Sequence, residues 1–185
     1  VADLLLDRLP CITIKQPWAS AIAECHSNPD AKNIENRVSR SSRSDGQPVP
    51  PTRYRGLVGI HAGKAWSTAG RRDPRVRHLL RRHEVLDDRY PAHRPRLYPE
   101  DLPAGEIIAT AQLVDVHLSA TTGDRLTPTC CHPWGDPGVW HLVLADVVRL
   151  ADPVPTRGAL GLPWRADEAT TAVVLDQIAA VGLSR

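Results

Sequence analysis

The chain has 185 residues, 17 of them proline, with 42% hydrophobic residues and a formal net charge of +2. That length supports one domain with a proper core, and so small a net charge does not demand a polyanionic partner for the molecule as a whole. Four cysteines are too few for a disulfide scaffold, and no apolar run approaches the roughly 18 residues of a membrane-spanning helix. The opening "VADLLLDRLP" carries acids and no basic flank, unlike a secretion signal, so a cytoplasmic protein with no membrane association is the simplest expectation.

Residues 1–9 read as a tail. "CITIKQ" (11–16) alternates as a strand does, and Pro17 stands where a first helical residue tolerates proline. "PWASAIAECH" (17–26) then reads as a short amphipathic helix with Trp18, Ala21, Ile22 and Cys25 on one face, stopped by "SNPD". "KNIENRVS" (32–39) is a second strand with Ile34 inward, and the polar, Pro/Gly-rich 40–52 is a loop with the composition of a disordered segment. "YRGLVGIHAG" (54–63) is the clearest strand of the first half.

Residues 67–100 read as a basic helical insertion. Asp73-Pro74 supplies an N-cap and first helical position for "PRVRHLLRRHEVL", and 91–103 is a proline-rich connector. Within 71–96 there are nine Arg against four acids, with His78, His83 and His93 nearby. This segment is equally an electrostatic track for nucleic acid, a protein-interaction arm or a solvated face. "GEIIATAQLVDVHLS" (105–119) and "GVWHLVLADVVRLADPVP" (138–155) are long strands, the second bending near Ala145-Asp146. Behind Asp167-Glu168, residues 165–185 carry the C-terminal helix. Few, long, mixed segments argue for an α+β domain on one curled sheet.

The charge vocabulary is uneven. There are 20 Arg and only 3 Lys, and the lysines stand at "TIKQPW" (Lys15), "DAKNIENR" (Lys32) and "IHAGKAW" (Lys64), each beside a β-type segment. A GC-rich coding bias accounts for the arginines but not for the lysines. Lys offers a compact point charge whose pKa drops on burial, which suits the wall of a narrow pocket better than a guanidinium fork.

"ITIKQPWASAI", "KNIENRV", "YRGLVGIHAGKAW", "LPAGEIIATAQLVDV" and "GVWHLVLADVVRLADPVPTRGALGLPW" resemble, in that order, the ASCH domain of the PUA-like superfamily, over residues 10–164. The resemblance implies a small mixed β-barrel flanked by helices, with a cleft on one side that binds RNA or another nucleotide-like ligand. One branch of the family hydrolyses the acetyl amide of acetylated cytidine nucleosides, and ribonuclease activity is attributed to another. The family's cleft pattern is close to Gly-x-Lys-x-x-Glu-x-Arg; here Lys32, Glu35 and Arg37 are kept, while Asp30 stands at the Gly position.

On strand parity Glu35 and Arg37 share a face and Lys32 enters from the strand's start; a surface ion-pair ladder is the plain alternative. Lys15 and Gln16 beside Trp18 offer a cation, an amide and a stacking ring, although Trp18 also suits a core. His61 and Lys64 flank a glycine-rich strand end that leaves room for close approach, with a structural His the alternative. Trp134 and Trp140 are candidate cleft walls. An enzymatic alternative makes Glu35 a general base and Lys32 a charge stabiliser; Glu35 occupies the position of the amidohydrolase branch's Thr, and a carboxylate does not replace that nucleophile. No metal or other cofactor is expected, because adjacent Cys130-Cys131 lack the spacing of a zinc knuckle and Cys25-His26 does not complete one.

Overall fold

The computed structural model describes residues 6–28, 31–38, 42, 44–82, 102–120 and 130–183. Asp30, His83, His93, part of the 40–52 loop and the basic segment beyond residue 82 as far as 101 lie outside the described residues.

Among the described residues, six strands form one sheet in the order β2-β5-β4-β3-β1-β6. They are β1 (Pro10–Gln16), β2 (Ile34–Arg37), β3 (Gly56–Trp66), β4 (Glu106–Leu118), β5 (Trp140–Pro155) and β6 (Trp164–Arg165). Only β1 and β3 pair parallel; the other ladders are antiparallel. The domain is therefore mixed α+β on a single sheet, with α1 (Trp18–Ala23), α2 (Thr68–Arg72), α3 (Pro74–Arg82) and α4 (Glu168–Leu183) around it.

The expected barrel does not close through a backbone ladder. β2, four residues long, and β6, two residues long, are the outer strands, and among the described residues they do not pair with each other. The central ladder is irregular. The β4–β5 ladder slips register at three places, and Asp146 takes a left-handed φ of 47°, so the bend falls where the sequence puts it. Each bulge adds a residue to one strand and turns it relative to its partner. The bend brings edge strand β2 near β1, where an Arg37 side-chain N–H donates to the Thr13 carbonyl.

The concave side is filled by Ile12, Ile14, Ile22, Val58, Ile60, Leu113, Leu142 and Leu144, all at most 2% exposed. At roughly 1.5–3 kcal/mol for each large aliphatic side chain buried, this cluster is a main source of stability. Helix α1 is a plug more than an amphipathic rod: Ala19 through Ala23 are all buried. Pro17 is its N-cap instead of its first residue, and the Ser20 N–H is taken by Gln16 Oε1 at 3.1 Å.

In α3, Val76, Leu79 and Leu80 face inward at helical spacing against Ala21, Ala31 and Trp134. Asp73 Oδ1 accepts from the Arg75 N–H at 2.8 Å and caps this helix. Helix α4 covers the opposite side of the sheet with a narrow stripe, Thr171, Val174 and Ile178, against Leu9, Leu150 and Trp164. Asp167 caps it by accepting from the Thr170 N–H at 2.7 Å. No helix among the described residues is long and apolar enough to cross a membrane.

Candidate functional site

Strand β1 alternates cleanly: Ile12 and Ile14 enter the core, while Thr13 is half-buried and Lys15 exposed on the other face. On β3, Thr13 is opposite His61 and Lys15 opposite Gly63. A groove runs along this face. Its inner end is a cavity of about 410 Å³ bounded by Lys15, Trp18, Lys32, Glu35, Arg37 and Asp136. The next hollow, about 390 Å³, shares Lys15 and Arg37 with the first and adds Lys64 and Leu160. The outer hollow, about 690 Å³, shares Lys64 and adds His61, Thr156 and Arg157. All three lysines of the chain therefore line this row of adjoining hollows.

At the inner end Glu35 and Arg37 project from one face of β2 and make an ion pair, Nε to Oε1 at 3.1 Å, although Nε lacks a well-aligned acceptor. Lys32 is 3% exposed, donates to the Ile34 carbonyl, and lies 5.3 Å from the Trp18 ring centroid. Burial holds its ammonium below the usual lysine range, while the carboxylates of Glu35 and Asp136 pull in the opposite direction. Three cations, Lys15, Lys32 and Arg37, meet two carboxylates here, so this end is nearly balanced in charge. Towards Lys64 and Arg157 the lining gains positive charge and, among the described residues, no acid.

His61 is 3% exposed and held by a directional chain. Trp164 Nε1–H donates to Thr13 Oγ1 at 2.9 Å, leaving the Thr13 hydroxyl to donate to His61 Nδ1 at 3.1 Å. His61 Nε2–H then donates to the Thr156 carbonyl at 3.2 Å. Of the two neutral tautomers only the Nε2–H form satisfies both contacts, and burial lowers the pKa of the ring. Gly158 lies directly against it: a Cβ there would come within 2.7 Å of His61 Cε1. His61 is thus a floor of the outer hollow with both nitrogens committed.

Three expected residues do not face the groove. Gln16 is fully buried, and its amide is spent on Ser20 at 2.9 Å and on the Pro103 carbonyl at 2.7 Å. Trp140 is a core residue opposite Arg37 in the β2–β5 ladder. Trp134 packs under α3, with the Arg75 guanidinium 4.6 Å from its ring centroid. Of the three expected stacking surfaces, only Trp18 borders the groove.

Asp136 and Arg157 were not singled out by sequence. The "PWGDPG" turn signal marks the Asp136 loop, but only the folded chain reveals that Asn36 holds that loop against β2. Asn36 Nδ2 donates to Asp136 Oδ2 at 2.9 Å and to the Trp134 carbonyl at 3.0 Å. On the far side of the same loop, His117, Cys130, Cys131 and His141 come together with one potential ligand atom each. A scan against protein-family models finds no match to the chain, and a search of curated proteins finds none either.

Proposed function

We propose that the chain is a PUA-like ASCH domain that binds RNA, or a nucleotide or modified-nucleoside ligand, along the groove between Lys32 and Lys64. The observation that carries this reading is the presence of all three lysines along one groove in a chain whose other 20 basic residues are arginines. The uneven charge divides the work. At the inner end, Glu35 and Asp136 accept from exocyclic amines of a base, and Trp18 offers its ring for stacking. Along the outer end Lys15, Lys64 and Arg157 hold phosphate oxygens. Leu160, fully exposed at the lip, adds an apolar contact for a base or sugar.

One observation favours a second reading, a hydrolase acting on RNA or a modified nucleoside. A buried lysine with a lowered pKa beside a carboxylate is a common catalytic arrangement, with Glu35 as base and Lys32 stabilising charge. The ion pair of Glu35 with Arg37 weighs against it, because the guanidinium occupies the carboxylate that would have to reach the substrate.

The test is mass spectrometry of the full chain incubated with single-stranded RNA and a panel of modified nucleosides, beside Lys32→Met and Glu35→Gln. The binding reading expects unchanged ligand retained by the wild type and lost from Lys32→Met. A shortened or deacylated product that disappears with Glu35→Gln supports the hydrolase instead. Neither retained ligand nor product overturns both.

A further inference from the structure

Strands β4 and β5 place His117 directly opposite His141 in their antiparallel ladder. The turn at Cys130-Cys131 folds back over this pair. Cys130 Sγ is 3.4 Å from His117 Nε2 and 3.7 Å from His141 Nδ1, and Cys131 Sγ is 3.5 Å from His117 Nε2. All four ligand atoms lie within 4.8 Å of one another. With metal–sulfur and metal–nitrogen bonds of about 2.3 and 2.0 Å, a tetrahedral zinc site puts S and N ligands about 3.5 Å apart. The three S···N separations, 3.4, 3.5 and 3.7 Å, lie close to that value. One-to-one thiol hydrogen bonds, Cys131 to His117 and Cys130 to His141, would leave the shortest contact, Cys130 Sγ to His117 Nε2 at 3.4 Å, unexplained.

The far side of each imidazole is held as a metal ligand requires. His117 Nδ1 contacts the Asp115 carboxylate at 2.6 Å, and His141 Nε2 donates to the Asp136 carbonyl at 2.8 Å. Each partner is an acceptor, so each ring carries its proton on the outer nitrogen and turns a lone pair towards the cysteines. Two local costs support the same centre. Cys131 adopts a left-handed φ of 65°, unusual for a residue with a side chain. Gly135 has no room for a Cβ, which would come within 2.5 Å of His141 Cε1.

We propose that His117 Nε2, Cys130 Sγ, Cys131 Sγ and His141 Nδ1 bind one zinc ion in a closed tetrahedral site. Mixed imidazole and thiolate donors select zinc over hard cations, which take oxygen ligands. Binding displaces one proton from each thiol, and the two thiolates neutralise the dication. Four protein ligands leave no position for substrate, so the site is structural. It joins the far ends of β4 and β5 to the 130–138 loop, and so fixes Asp136 against Asn36 at the inner end of the groove.

The test uses the full chain purified under reducing conditions, with zinc and cobalt ions as the probes. One zinc per chain is expected to survive dialysis, and X-ray absorption should give a shell of two sulfur and two imidazole neighbours. Cobalt added to the metal-free protein should show the intense ligand-field bands of a tetrahedral site with thiolate charge transfer, and one equivalent of zinc should abolish them. Cys130→Ser should lose the tightly held zinc, whereas Cys25→Ser should keep it. Should Cys130→Ser fail to fold, the wild-type absorption shell still decides. A six-coordinate shell without sulfur, zinc retained by a Cys130→Ser/His117→Ala double variant, or a Cys130–Cys131 disulfide that persists under reducing conditions would each overturn the proposal.

Discussion

The groove and the cysteine–histidine corner stand on two sides of the 130–138 loop and handle polar groups in opposite ways. In the groove, charges of both signs satisfy one another: Arg37 answers Glu35, and Lys32 feels both Glu35 and Asp136. A ligand there must exchange partners, which favours selectivity over raw affinity. At the corner, the imidazoles are anchored from behind and their lone pairs converge with two thiols, so the donors are organised for a centre that none of them supplies. The difference teaches that polar convergence takes two forms, one that a ligand must open and one that it completes. What matters is whether each group's hydrogen-bonding capacity is already closed within the protein.

Removing the metal should separate the two regions most forcibly. Chelation, or Cys130→Ser, is expected to lower stability by about 3 kcal/mol, which for a chain of this size is a fall of about 10 °C in Tm. RNA binding should weaken in step, since Asp136 loses its support; calorimetry and binding on the same samples check the coupling. Unchanged Tm with zinc stripped would mean the corner bears no load.

Lys32→Met comes next, because it keeps the buried stem and removes the charge. Binding should fall by about 10- to 100-fold, and stability by about 1–3 kcal/mol, since Glu35 and Asp136 lose a buried partner. The stability cost follows from burial of Lys32 to 3% exposure, which no spacing argument reveals. A stability loss with unchanged binding would make Lys32 purely structural.

Lys15→Ala and Lys64→Ala should act more gently, as both side chains are exposed. Each should weaken RNA binding about two- to fivefold without a change in Tm, through the loss of one phosphate contact. The smallest effect concerns pH. Burial lowers the folded-state pKa of His61, so the unfolded chain binds more protons than the folded one below the ordinary value of 6.5. The contribution of His61 to stability should thus be complete above 6.5 and decline as the pH falls towards its folded pKa. His61→Gln should flatten that slope in denaturant titrations.

Much of the fold was legible because its signals are local. The alternation in 11–16, the caps at Asp73 and Asp167, and the bend near Asp146 depend on neighbours in sequence. Closure of the sheet was not legible, since pairing of the outer strands depends on their shortness and on the three slips between β4 and β5. Within the site, Lys32, Glu35 and Arg37 were found through lysine scarcity and motif order. Gln16 looked like a base reader and is instead an internal bracket for α1, because the fold closes Ser20 and Pro103 over it. The spacing of adjacent Cys130-Cys131 carries no metal signal; their partners become visible only when the β4–β5 register puts His117 across from His141.

The proposed function rests on the lysines of the groove holding RNA. Fluorescence anisotropy of a labelled single-stranded RNA with the full chain, titrated over salt concentration for wild type, Lys64→Ala and Lys32→Met, tests it most directly. The account predicts affinity that falls with salt, a log–log slope shallower by about 0.7 in Lys64→Ala, and binding largely lost in Lys32→Met. Binding with the same affinity and salt slope in all three proteins would contradict it.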